Sequence, residues 1–194
     1  ETNSDVESIL DLEYGKIRLV IAFPDKYTYK NLDAMIADYG KKKKTLRISS
    51  EYLITASNFI KSLKSYQKYY GKKDPLIVTP WMRLGNNKDV QIHLSFGATE
   101  AKPPEDVDAI MDVTETGTTL KQNKLKIVDE VLTSTAHLIV NKKSLKDPKK
   151  REKIFDMITL IRGAVNGRKY LHIYLNVEEK NLKKLLSQMP SLKR

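Results

Sequence analysis

Apolar positions along this chain follow two spacings, and the switches between them mark out its elements. Short unbroken apolar runs predict buried strands, and recurrence at three and four residues predicts helices. Residues 17–23 form a compact apolar run ended by Pro24, which predicts a buried strand. Further strands are predicted at 46–49, 76–79, 90–94 and 108–111, and in VDEVL and AHLIV within 125–140. Leu32, Met35, Ile36 and Tyr39 have helical spacing behind a capping Asn31, with Gly40 as the stop. Residues 53–70 read as one helix, with Ile54, Phe59, Ile60, Leu63, Tyr66 and Tyr70 in phase and Gly71 at its end. Asp147-Pro148 opens a helix to about Arg162, with Ile154, Phe155, Ile158 and Ile161 on one face and Gly163 and Gly167 ending it. Residues 6–15 read as a short helix or turn closing at Gly15, and 80–89 as a loop carrying Trp81. SFGATEAKPPED, 95–106, reads as an ordered loop with one or two helical turns. Residues 170–177 alternate as a strand, followed by a helix over 178–189 closed by Pro190. Strands alternating with helices predict an α/β class.

Charge narrows the partners without choosing one. Thirty-five Lys and Arg against 24 Asp and Glu leave +11, which suits anionic partners or, equally, a solvated lysine-rich surface. The lysine run 41–44 has only Arg47 as a basic companion on the nearest strand, and the chain carries no RNP-like, KH-like or zinc-finger pattern. Nucleic acid is therefore not an expected partner. The absence of cysteine excludes disulfides, thiolate catalysis and Cys-ligated zinc. His93, His137 and His172 lack partners at metal-ligand spacing. No apolar run is long enough for a membrane helix, and residues 1–7 are acidic and polar, unlike a signal peptide. A cytoplasmic protein without a membrane partner is expected.

One segment carries chemistry: residues 108–120, DAIMDVTETGTTL. An apolar strand runs into Asp112 and Glu115, then Thr116, Gly117, Thr118 and Thr119, and Leu120 restores the apolar phase. A strand ending in such a turn aims successive N–H groups into one concavity that favours phosphate. Gly117 admits positive φ and close approach, and the threonines add hydroxyl donors. The acids suit sugar hydroxyls, or Mg²⁺ shared with a diphosphate. Together these describe a seat for a phosphorylated ribose. The plainer reading is a strand-to-helix turn with threonine capping and solvated acids. Neither a Walker pattern nor a dinucleotide Gly-x-Gly-x-x-Gly is present.

The segment resembles the phosphoribosyl-diphosphate signature of ATP phosphoribosyltransferases, with Asn123 and Leu125 in the positions that follow it. The likeness continues in GKIRLVIAFP at 15–24, LRISSEY at 46–52, HLSFGATEAKPPEDVDAI at 93–110 and LTSTAHLIVN at 132–141. RKYLHIYLNVEEKNLKKLLSQMPSLK at 168–193 resembles the start of the regulatory domain of the long form. The N-terminal part of the catalytic region and most of that regulatory domain have no counterpart here. The resemblance implies a two-lobed fold of the periplasmic-binding-protein type, represented mainly by its second lobe. Residues 1–16 would be the hinge from the first lobe, 17–141 the second lobe with its site, 142–167 a helix returning to the first lobe, and 168–194 the first strand and helix of a ferredoxin-like regulatory domain.

The implied reaction transfers phosphoribose from 5-phosphoribosyl diphosphate to N1 of ATP with Mg²⁺ and loss of pyrophosphate, the opening step of histidine biosynthesis. Whether the present chain performs it alone is left open. Thr116, Gly117, Thr118 and Thr119 are assigned to the 5′-phosphate, and Asp112 and Glu115 to the ribose hydroxyls or Mg²⁺. Ser95, Gly97, Ala98 and Thr99 are assigned to a second anion-facing turn for nucleotide or pyrophosphate, with Glu100 on a ribose; a purely structural turn fits them equally. No general base is named. Histidine as feedback inhibitor and a homo-hexamer are implied for the intact enzyme. The competing reading is a non-catalytic phosphosugar- or small-ligand-binding module of periplasmic-binding-like fold.

Overall fold

A computed structural model describes residues 4–189. In chain order the elements are β1 (Val6–Asp11), β2 (Ile17–Pro24), α1 (Leu32–Lys42), β3 (Leu46–Ser50), α2 (Leu53–Ser62), α3 (Lys64–Tyr70) and β4 (Pro75–Val78). There follow β5 (Arg83–Leu84), β6 (Asn87–Leu94), a single 3₁₀ turn (Thr99–Ala101), β7 (Ala109–Thr114), α4 (Thr118–Gln122) and β8 (Leu125–Ser134). The last are β9 (His137–Asn141), α5 (Lys142–Lys146), α6 (Pro148–Gly167) and α7 (Glu179–Gln188). The α/β class is as expected. The chain divides into two compact units: Glu13–His137, and the two ends, Glu1–Leu12 with Leu138–Arg194.

The larger unit is built on a sheet of order β5-β4-β6-β3-β7-β2-β8. Strands β4, β6, β3 and β7 are parallel, while β2 runs antiparallel to both β7 and β8. Both faces are covered, which is why β2 is apolar at nearly every position. Leu19, Ile21 and Phe23 join a core with Leu32, Met35 and Ile36 of α1, Ile60 of α2 and Tyr66 of α3. Val20 and Ala22 face the other way, against Ile110, Val107, Leu120 and Leu125. Each large apolar side chain so buried contributes roughly 1.5–3 kcal/mol. This anchors β2 and β7 at the middle of the site described below.

Several expectations give way to tertiary contacts. Gly40 does not stop α1; the helix runs on to Lys42 and ends at Lys43, left-handed at φ 52°. Gly40 instead gives room to Tyr69, whose ring would lie 2.7 Å from a Cβ there. The predicted helix over 53–70 is two helices broken at Leu63 (φ −73°, ψ 137°). The Asp33 carboxylate accepts from Ser65 N–H (2.8 Å) and Ser65 Oγ (2.9 Å), so the second helix starts on a cap 32 residues away. The loop expected at 80–89 contains β5 and the start of β6. The segment 6–15, expected as a short helix or turn closing at Gly15, begins instead as strand β1, because β1 pairs with β9 in the smaller unit. In that unit α5 was not anticipated, and α6 continues through Gly163 to Gly167, with Ile158 and Val165 buried. Residues 170–177 form no strand: no segment among the described residues offers them a ladder, and Leu171 and Tyr174 are exposed. The helix predicted at 178–189 is α7, and Pro190 lies outside the described residues. No helix among the described residues is long and apolar enough to cross a membrane.

Candidate functional site

Strand β7 is central, with β3 on one side and β2 on the other, and its C-terminal end delivers Asp112, Glu115 and the threonine turn. Gly117 occupies the left-handed region (φ 82°, ψ 4°) that reverses the chain into α4, and Leu120 pins that helix into the smaller core. Threonine hydroxyls brace the turn. Gly117 N–H donates to Thr114 Oγ1 (2.8 Å), Thr118 N–H donates to Thr116 Oγ1 (3.3 Å), and Thr116 and Thr118 share a hydrogen bond of 2.8 Å. Two of the amides expected to face an anion are therefore engaged by hydroxyls of the turn itself. The side chains of Thr116, Thr118 and Thr119 are exposed.

These threonines line a cavity of about 340 Å³ with Thr114, Glu115, Asp112 and Glu100. Asp112 is half-buried, and its carboxyl is held above the usual carboxylate range by burial first, opposed by the Val113 N–H it accepts (2.7 Å) and reinforced by Glu100 and Glu51. Three carboxylates thus gather beside a hydroxyl-rich turn. Among the described residues no group of three or more His, Cys, Asp or Glu side chains could hold a metal ion on its own. The donor set of Asp112 and Glu115 fits Mg²⁺ only when phosphate oxygens and water complete its octahedron.

The second predicted cluster is divided by the fold. Glu100 reaches the threonine cavity. Ser95 and Thr99 are buried; Thr99 Oγ1 donates to Ser95 Oγ (2.9 Å), which also accepts from Lys102 Nζ (2.6 Å). Gly97 (φ 70°) and Ala98 (φ 48°) are exposed on the turn above them, and Gly97 N–H donates to Glu51 Oε1 (2.8 Å).

Sequence reasoning missed Lys16 and Arg18. In the β2–β7 register Arg18 lies opposite Thr114. One Arg18 guanidinium nitrogen lies 4.0 Å from where a Gly117 Cβ would be, and another is 3.6 Å from Glu130 Oε2. Lys16, Arg18, Glu115 and Glu130 line a cavity of about 520 Å³, so Glu115 borders both spaces. Lys16 and Arg18 flank Ile17 where β2 begins, and nothing local pointed that strand at the turn.

A family model for HisG, ATP phosphoribosyltransferase, matches residues 1–163. The chain belongs to the ATP phosphoribosyltransferase family. It is similar to the ATP phosphoribosyltransferase of Solibacter usitatus, 35% identical over 199 residues, spanning all of this chain and 58% of that protein. The enzyme of the same name from Chlorobium chlorochromatii is 32% identical over 198 residues and is 57% covered. The chain thus spans little more than half the length of these relatives. An ATP phosphoribosyl transferase (HisG:HisZ) complex from Thermotoga maritima matches in fold with a TM-score of 0.57 at 20% identity, over 86% of this chain and 65% of that one.

Proposed function

We propose that this chain carries the phosphoribosyl-diphosphate site of an ATP phosphoribosyltransferase, which moves phosphoribose to N1 of ATP and releases pyrophosphate at the start of histidine biosynthesis. The observation that carries this is the single cavity joining the hydroxyls of Thr116, Thr118 and Thr119 to the carboxylates of Asp112, Glu115 and Glu100. A 5′-phosphate fits the hydroxyl end; binding it exchanges the internal bonds of the turn for charge-assisted ones, which are roughly twice as strong. The carboxylates take the ribose hydroxyls and oppose the positive charge that grows on the sugar as the anomeric C–O bond breaks. Ser95 and Thr99 act by shaping the second turn, and Gly97, Ala98 and Glu100 present its surface to nucleotide or pyrophosphate. Mg²⁺, bound with the diphosphate, would neutralise the leaving group. Lys16 and Arg18 supply fixed positive charge alongside. The rest is orientation.

On this reading the larger unit is the second lobe of a periplasmic-binding-like fold, 142–167 leads back to the first lobe, and 168 onward opens a ferredoxin-like domain that takes histidine as inhibitor. The intact enzyme is a cytoplasmic hexamer. Isothermal titration calorimetry on this chain tests the core of the reading: phosphoribosyl diphosphate binds, and more tightly with Mg²⁺. Binding of sulfate or amino acids alone would overturn it in favour of a non-catalytic module.

A further inference from the structure

Four parallel strands, β4, β6, β3 and β7, end on one edge of the sheet, where α/β folds bind their ligands. They end level: Val78 lies beside His93, Leu94 beside Ser50, and Ser50 beside Met111. Just past those positions come Trp81, Phe96, Glu51 and Asp112, in that order across the sheet. Trp81 and Phe96 are 69% and 73% exposed, yet their rings meet at 6.2 Å between centroids with 35° between planes. Neither belongs to a core. The hairpin that carries Trp81 is braced: Thr79 N–H donates to Met82 O (2.9 Å), and Thr79 Oγ1 accepts from Met82 N–H (3.0 Å). A large apolar pair held out to solvent from two neighbouring loops, in line with a polar cavity, calls for a flat ligand.

We infer that Trp81 and Phe96 form the platform on which the purine base of the nucleotide substrate stacks, on the same strand-end edge that carries the threonine turn. This rests on the transferase reading. Strand spacing places the Phe96 backbone about 10 Å, and that of Trp81 about 14 Å, from β7. A base lying on Phe96 therefore extends its free edge along the strand ends towards the sugar without taking the sugar's seat. Aromatic faces hold bases by stacking, independently of their hydrogen-bonding edges. Positive charge for the nucleotide's phosphates stands at the same edge: Lys102 beside Ser95, and Arg83 two residues after Trp81.

Trp81 is the sole tryptophan of the chain, so its fluorescence reports this place alone. ATP is expected to quench it, and tripolyphosphate, which has the charge without the base, is expected not to. In calorimetry Trp81→Ala and Phe96→Ala should bind ATP on the order of 10- to 100-fold more weakly, as loss of a stacking partner does. Trp81→Phe should retain most of the affinity. Phosphoribosyl diphosphate should bind all of these variants as it binds the parent chain, which also certifies their folding. The inference is overturned if ATP affinity survives both alanine substitutions, if tripolyphosphate quenches equally, or if phosphoribosyl diphosphate binds while ATP does not. Should phosphoribosyl diphosphate itself fail to bind the parent chain, the transferase reading falls and the platform with it.

Discussion

Gly117→Ala and Gly117→Val separate what the turn needs to fold from what it needs to bind. At φ 82° an L-residue pays about 1–2 kcal/mol for the clash of its Cβ with the following carbonyl. Sterics beyond the backbone add little for alanine: the new Cβ would meet Ile127 Cδ1 at 3.2 Å, the mobile end of a side chain, and an Arg18 nitrogen at 4.0 Å. For a unit of this size that cost lowers Tm by roughly 3–10 °C. Valine adds branching that is worse tolerated at positive φ and projects methyls towards Arg18 and Ile127. Differential scanning calorimetry should therefore rank the parent above alanine and alanine above valine, with circular dichroism near that of the parent. Titration calorimetry should find phosphoribosyl diphosphate weakened by alanine and undetectable with valine. A Gly117→Ala protein melting with the parent would refute the claim that the turn requires a left-handed residue. Unchanged affinity in Gly117→Val would place the phosphate elsewhere.

Asp112→Asn is expected to raise Tm at neutral pH while weakening Mg²⁺-dependent binding of phosphoribosyl diphosphate. Its carboxyl titrates above the ordinary aspartate range because the half-buried charge is desolvated, so ionisation costs the folded state stability. That cost is absent below the unfolded pKa, grows as pH rises through the interval up to the folded one, and is complete above it. Melting curves across pH roughly 3 to 8 should show the variant's advantage vanish in acid; a variant less stable than the parent at neutral pH would contradict the assignment. Tyr66→Phe should lower the urea midpoint by the equivalent of about 1–3 kcal/mol with an unchanged m-value. The buried Tyr66 hydroxyl donates to Lys73 O (2.8 Å) and accepts from Asn87 Nδ2 (2.9 Å), and the buried Asn87 amide would lose its acceptor. An unaltered midpoint would mean that this network stabilises nothing.

The threonine turn was readable because its parts are consecutive. Thr114, Thr116, Gly117 and Thr118 bond to one another, and the demand for glycine at 117 is a property of one backbone position. The companions of the turn were not readable in the same way. Arg18 reaches Gly117 through antiparallel pairing across nearly one hundred residues, and Lys16 comes to the neighbouring cavity with it. For Ser95 and Thr99 the resemblance suggested an anion-facing turn and local chemistry a structural one; in the fold both are buried, and Thr99 Oγ1 donates to Ser95 Oγ.

By itself the sequence determined what short-range sterics and periodicity govern: the β2 run, the Asn31 cap with its bond from Ala34 N–H (2.9 Å), the strand-turn order at 108–120, and the exclusion of cysteine chemistry. Tertiary structure decided the rest. It set the strand order that lines up four loops on one edge, the break at Leu63 held by Asp33, the strand at 6–11, and the extension of α1 through Gly40 against Tyr69. The reason is physical: a cap or a turn is satisfied by neighbours in the chain, but a ladder, a buried hydroxyl or a helix end completed from afar takes its free energy from groups whose proximity exists only once the chain has folded.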